Sequence, residues 1–311
     1  MAFPVYLPMM LGIVLAWFAP RSARALPPRA EVWCLSVAAV AAAVSWVFSL
    51  AMVAFTGLGR TNFVARHGHY SVEHWREVDP VGVRSAYAAG AVLGACAALF
   101  IRAVYQEMVA QGEIRRLTRG FGGQSTIVFV DDTTPHAYAV GGRRPRIVVS
   151  RGLLCTLGVA ERRAVLAHEA AHLRHRHHVH LRVLRLAAAA FPMLRPCLPA
   201  GVLAVERWAD EETAARLGDR TLVARTLLRA ALAGVDNARM PAGVLAHTTT
   251  GDVGRRVTAL MQAPPRVRWT VVTATSVMLA ATMVSPVYSA NHLDGLFDSA
   301  TSPPASMSVG P

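Results

Sequence analysis

The sequence predicts an α-helical membrane protein that carries one α+β, mostly helical domain outside the bilayer. Three observations lead there. Of the 311 residues, 53% are hydrophobic and only 16% are charged, which excludes a disordered chain and an ordinary soluble enzyme. Four apolar stretches, Phe3 to Ala19, Val32 to Gly57, Ser85 to Ile101 and Trp269 to Ala290, are close to the roughly 20 residues that a helix needs to cross a bilayer core. The net charge of +13, all of its basic residues Arg, is concentrated between the third and fourth stretches, away from the apolar runs.

The N-terminal region, residues 1–106, then holds three spans with short loops. The first span carries Pro4 and Pro8, and no basic residue precedes it, so it is expected to remain as a span and not to be removed as a signal segment. Gly90, Gly94 and Ala97 in the third offer a small-residue packing face. The fourth span covers residues 268–290, with Pro286 near its end, and residues 291–311, rich in Ser, Pro and Gly, are expected to be a disordered external tail. The four cysteines, Cys34, Cys96, Cys155 and Cys197, are scattered singly and read as small hydrophobes.

Arginine placement orients the spans. Arg21, Arg24 and Arg29 fill the first connection, Arg102, Arg115, Arg116 and Arg119 follow the third span, and Arg255, Arg256, Arg266 and Arg268 precede the fourth, whereas the tail has no Arg. This predicts a multi-pass protein of the cell membrane with external termini and a cytoplasmic domain over residues 107–267. Within that domain, Thr126–Val130 and Arg146–Ser150 are β-branched runs bounded by Asp131, Asp132 and a Gly141–Gly142 turn, hence two short strands. Helices are expected over Ala160–Leu186, Val202–Leu217, Arg220–Leu232 and Val253–Met261. The apolar stretch Leu181–Ala204, broken by Arg182, Arg185, Arg195 and three prolines, reads as a membrane-facing helical hairpin and not as a span.

The first long helix contains His168-Glu169-Ala170-Ala171-His172, an HExxH pattern, for which chance predicts about 0.015 occurrences in this chain. Residues i and i+4 share a helix face, so both imidazoles reach one ion with Zn–N near about 2.0 Å. Glu169 is rotated by about 100° from His168 and suits a general base acting on a metal-activated water. A catalytic zinc needs a further protein ligand, and Glu206 of Glu206-Arg207-Trp208-Ala209-Asp210 is the candidate. The same i, i+4 spacing places Asp210 to accept a hydrogen bond from a ligand histidine.

The string LAHEAAHLRHRHH, followed some thirty residues on by ERWADEETA, resembles the integral-membrane gluzincin peptidases: the HtpX and CAAX-prenyl-protease group and the related BlaR/MecR sensor peptidases. The resemblance implies a gluzincin-type zinc peptidase domain over about residues 125–261. His168, His172 and Glu206 would be its metal ligands, Glu169 its base and Asp210 its orienting carboxylate. It also implies that the Pro135–Leu154 segment supplies an edge strand for the substrate backbone. Three spans before the motif and one after it are similar to BlaR/MecR, but only residues 291–311 follow the last span, so a direct β-lactam sensor is not expected. His247, loosely similar to a downstream histidine-then-arginine segment of the HtpX group that Arg255 and Arg256 match imperfectly, is the candidate for stabilising the oxyanion.

The remaining histidines carry plainer readings. His175, His177, His178 and His180, interleaved with Arg174 and Arg176, read as a solvated basic face, with His175 nearest the metal-binding side. His136 reads as a loop residue, and His67, His69 and His74 as polar loop residues. The Arg clusters at 115–119 and 143–146 lack a nucleic-acid motif and read as lipid contacts, so the expected partners are the bilayer and a protein or peptide substrate. Two substrate roles are open: a cytoplasmic transcriptional regulator, or membrane proteins in quality control. The alternative function is a catalytically silent zinc-binding signalling scaffold, against which the intact Glu169 argues.

Overall fold

A computed structural model describes residues 3–68, 72–73, 75, 81–119, 125–142, 145–233, 250–263 and 266–301. The chain is mostly helical, with four helices long and apolar enough to cross a membrane. These are α1 (Phe3–Ser22), α2 (Pro28–Leu58), α4 (Val83–Arg119) and α11 (Trp269–Thr301), with a short α3 (Asn62–Gly68) between the second and third.

α2 is the hub, packing against α1, α4, α11 and a later hairpin of two helices, His177–Ala190 and Cys197–Leu217. A run of small residues, Ala38, Ala39, Ala41, Ala42 and Ala43, gives it the slim buried face that lets neighbours approach. Proline in α1 creates a need that a serine meets. Pro8 has no N–H for the Pro4 carbonyl, and Ser289 Oγ of α11 donates to that oxygen at 2.6 Å. Ser45 Oγ of α2 donates to the Pro8 carbonyl at 2.8 Å.

Two helices run beyond their expected ends. α4 has 37 residues, about 55 Å at 1.5 Å per residue, and carries the third span unbroken through position 106 into the next region. α11 continues through Thr301 where an irregular tail was expected from residue 291. That segment contains no proline, and Leu293 is buried in a cluster with Val5, Leu50, Val53 and Ala89. Residues 302–311 lie outside the described residues.

After α4 comes a three-stranded sheet of β1 (Ile127–Val130), β2 (Ala137–Val140) and β3 (Arg146–Ser150). Its order is β1-β3-β2, with β3 parallel to β1 and antiparallel to β2. β1 and β3 are the two runs expected from residue type, and β2 lies at the sheet edge within the Pro135–Leu154 segment, where the resemblance implied an edge strand. It is four residues long between Pro135 and Gly141, too short for alternation to announce it. β3 is buried along its whole length. Ser150 Oγ ends it by accepting from Leu153 N–H, starting α5 (Arg151–Thr156), and also accepts from His136 N–H at the head of β2.

α6 (Val159–Arg174) opens with the Gly158 N–H donating to the Glu161 carboxylate at 2.9 Å. The single long helix expected over 160–186 is in fact two. His175 and Arg176 interrupt it, Arg176 adopting left-handed φ 50° and ψ 43°, before α7 (His177–Ala190) begins. A turn at Pro192–Leu194 leads to α8 (Cys197–Leu217), followed by α9 (Arg220–Leu232) and α10 (Thr250–Met261).

The α7–α8 hairpin does not simply face outward. Leu181, Leu184, Phe191, Leu194, Ala200 and Ala204 are buried in one cluster with Leu15, Leu35, Ala38 and Ala42 of α1 and α2. Phe191 near its tip stacks on Trp46, about midway along α2, with centroids 4.6 Å apart. Gly201 permits the close approach of the limbs, since a Cβ there would run into Leu184. Polar ties fasten its base: Ser36 Oγ to His180 Nδ1 at 3.0 Å, Arg207 to Glu31 at 3.1 Å, and Arg182 and Arg185 to Glu107 of α4.

Candidate functional site

α6 presents His168 and His172 one turn apart on the side facing α8, where Glu206 and Asp210 repeat the spacing. The donor atoms converge. His168 Nε2 lies 3.1 Å from His172 Nε2 and 3.4 Å from Glu206 Oε2, and His172 Nε2 lies 3.6 Å from Glu206 Oε1. Ligands at about 2.0–2.2 Å from a tetrahedral zinc are themselves separated by about 3.3–3.5 Å, so the set has the spacing and the N/O chemistry that such an ion takes. Among the described residues this is the one group of His, Cys, Asp and Glu side chains close enough to hold a metal.

Each histidine turns its Nε2 to the centre because its Nδ1 is engaged elsewhere. His168 Nδ1 meets Asp210 Oδ1 at 3.1 Å, as the sequence suggested. His172 Nδ1 meets His177 Nδ1 at 3.1 Å, which the sequence did not suggest. The reading of His177 as part of a solvated face is overturned: only 1% of the residue is exposed. His180 is buried as well, and His178 packs under Gly141. His175 lies outside the triad, stacked on Trp208 with centroids 4.6 Å apart. The helix break explains these shifts, because it turns residues beyond 175 onto a new axis.

Arg256 of α10 is the second added member, which the sequence offered only as an imperfect match to the arginine of a histidine-then-arginine segment. Its guanidinium grips Asp210 with two hydrogen bonds of 2.7 Å and reaches Glu206 Oε2 at 2.9 Å. Arg220 fixes α10 in turn by donating to the Leu260 and Ala259 carbonyls while holding Glu211. A sequence signal existed. Val253, Val257 and Leu260 form the apolar stripe of α10, and Arg256 falls within it, as His177 falls in line with Leu181, Leu184 and Ala188 on α7. A charged or polar residue in a buried stripe is a residue with a partner.

The electrostatics follow from this packing. Burial alone would raise the carboxyls of Glu206 and Asp210, but Arg256 and the adjacent histidines outweigh it, holding Asp210 at about 2 and Glu206 below the ordinary carboxylate range. Burial lowers His172 to about 4. Burial also acts to lower His168, yet hydrogen bonds to Asp210 and Glu206 raise it to about 10. Glu169 is lifted to about 7 by burial, and its carboxylate accepts a hydrogen bond from the Ala139 N–H of β2. His136 is half-buried at the start of β2, its Nδ1 3.0 Å from the Thr134 carbonyl, away from the triad contacts. His247 lies outside the described residues.

Two imidazoles and a carboxylate on facing helices, with a second carboxylate next to the first imidazole, form a donor set able to hold a divalent metal ion such as zinc. Residues 100–239, just under half of the chain, match the family model of Peptidase family M48, a metallopeptidase family whose members generally use zinc. The matched segment contains His168, Glu169, His172, Glu206 and Asp210 and stops short of Arg256. No curated protein and no solved structure matches the chain.

Proposed function

We propose that this protein is a membrane-embedded zinc metalloendopeptidase in which His168, His172 and Glu206 hold the ion, Asp210 orients His168 and Glu169 is the general base. The observation that carries the reading is the mutual spacing of the three donors, 3.1–3.6 Å, on two facing helices. Zinc held there supplies Lewis-acid polarisation of a peptide carbonyl and acidifies a water. Glu169 accepts a proton from the attacking water and delivers it to the leaving amine, a task suited to a carboxyl lifted to about 7 by burial. Asp210 keeps the Nε2 of His168 facing the centre, and Arg256 fixes both carboxylates of α8 at once. His247 is the proposed oxyanion partner.

Arginine distribution supports a cytoplasmic catalytic domain with external termini. Arg207, next to Glu206, is tied to Glu31 where the apolar run of α2 begins, which favours a site level with the bilayer surface. Its substrates are then protein segments presented beside the membrane, belonging either to a cytoplasmic regulator such as a transcriptional repressor or to membrane proteins under quality control. In detergent-purified protein, elemental analysis is expected to find one zinc per wild-type chain and a marked loss in Glu206→Ala. Glu169→Gln is expected to keep the zinc and lose turnover by at least ~10²-fold. A folded wild type that takes up no zinc would overturn the reading, leaving a remnant motif or another metal, whereas zinc held without any turnover would favour the catalytically silent signalling scaffold.

A further inference from the structure

We infer that His177 is a positioning residue for the metal site, accepting a hydrogen bond from His172 Nδ1–H and thereby holding the His172 Nε2 lone pair toward the centre. The inference rests on the zinc reading above and adds a residue outside the HExxH and Glu206–Asp210 motifs. Three independent features support it. The Nδ1–Nδ1 distance is 3.1 Å, and one ring must donate and the other accept. When the His172 Nε2 lone pair serves the metal, its proton sits on Nδ1, which makes His177 Nδ1 the acceptor and His177 neutral. Among the described residues nothing hydrogen-bonds His177 Nε2, so the contact with His172 is the ring's one polar interaction, made in a fully buried setting.

The backbone supplies the third feature. In a continuous helix, residues five apart differ in direction by about 140°, so His177 could not reach back to His172. Arg176 makes the contact possible. It is the one non-glycine residue with positive φ among the described residues, and it stands immediately before His177. Strain of this kind persists where the surroundings hold it, here through the fixed position of α7. His180 bonds Ser36 of α2, Arg182 donates to Glu107 of α4, with which Arg185 forms an ion pair, while Trp208 packs on the His177 ring with centroids 4.7 Å apart. His168 has its Nδ1 held by a carboxylate and His172 by an imidazole, so both ligands are oriented from behind.

The test compares His177→Phe, which keeps a buried ring without a nitrogen, with His177→Asn, whose side-chain oxygen can take the place of Nδ1. Zinc affinity of the full-length protein in detergent is measured by chelator competition, alongside thermal unfolding of the zinc-free form. The expected result is zinc bound about 10- to 100-fold more weakly in His177→Phe, with affinity restored to within a few-fold in His177→Asn. His175→Asn, changed on the neighbouring ring that does not touch the triad, is expected to bind zinc as the wild type does. Unchanged affinity in His177→Phe overturns the inference, as does a loss in His177→Asn equal to that in His177→Phe, since ring packing alone would then be responsible. A wild type without zinc is a separate outcome and would remove the metal reading itself.

Discussion

The two ends of the triad are built differently. On the His168 side the partner is Asp210, an anion that shares the Arg256 guanidinium with Glu206, so three buried charged groups from two helices are fixed together. On the His172 side the partner is the ring of His177, held by packing against Trp208 and by the bend at Arg176. The first arrangement is electrostatic and depends on α10, an element distant in sequence. The second is local and depends on the backbone between α6 and α7. Orientation of a metal ligand needs only a fixed partner of the right polarity, and a charge is one of two ways to provide it.

Removing Arg256 should break the charged side with the largest effect. Arg256→Met leaves two buried carboxylates facing each other, and breaking a buried ion pair from one side costs about 3–5 kcal/mol. Thermal unfolding in detergent should show a much less stable protein, and Arg256→Lys should restore little, because an ammonium lacks the planar fork that reaches both acids. Wild-type stability in Arg256→Met would mean that the site does not depend on this link. Asp210→Asn keeps the shape and removes the charge, so zinc affinity should fall by ~10- to 100-fold while the protein stays folded. Chelator competition on both sides of the triad sharpens the comparison: His177→Phe should lose less affinity than Asp210→Asn if the carboxylate contributes charge as well as orientation. Equal losses would indicate that orientation is the whole effect.

The smallest effect concerns the anchoring of α7. Ser36→Ala removes the hydrogen bond from α2 to His180 and is expected to destabilise the protein by about 1 kcal/mol, read from unfolding curves. Zinc affinity should hardly move, since Glu107 still grips Arg182 and Arg185. A large loss of zinc in this variant would show that the second span reaches the metal site through α7.

Much of the molecule was legible beforehand. The four apolar helices follow from run length alone, and the extra turns of α4 and α11 were hidden because polarity, not helix propensity, sets where an apolar run appears to end. The strand β2 was signalled only by the family resemblance, because four residues between a proline and a glycine carry too short a pattern of their own. The hairpin was recognised, but not that its tip stacks on Trp46, since an apolar segment shows that it is buried and not what buries it. His175 to His180 misled as a group: interleaved His and Arg resemble a wet surface, and a left-handed residue at an arginine carries no glycine to announce it.

The sequence by itself determined the four apolar helices and the i, i+4 pairs on α6 and α8, and with them the proposed donors His168, His172 and Glu206, because helix geometry converts spacing into direction without reference to the rest of the fold. The tertiary structure decided what stands behind those donors. Arg256 arrives from 46 residues beyond Asp210, and His177 depends on one backbone conformation. Such contacts are set by how helices pack and bend, which no local repeat in the chain records.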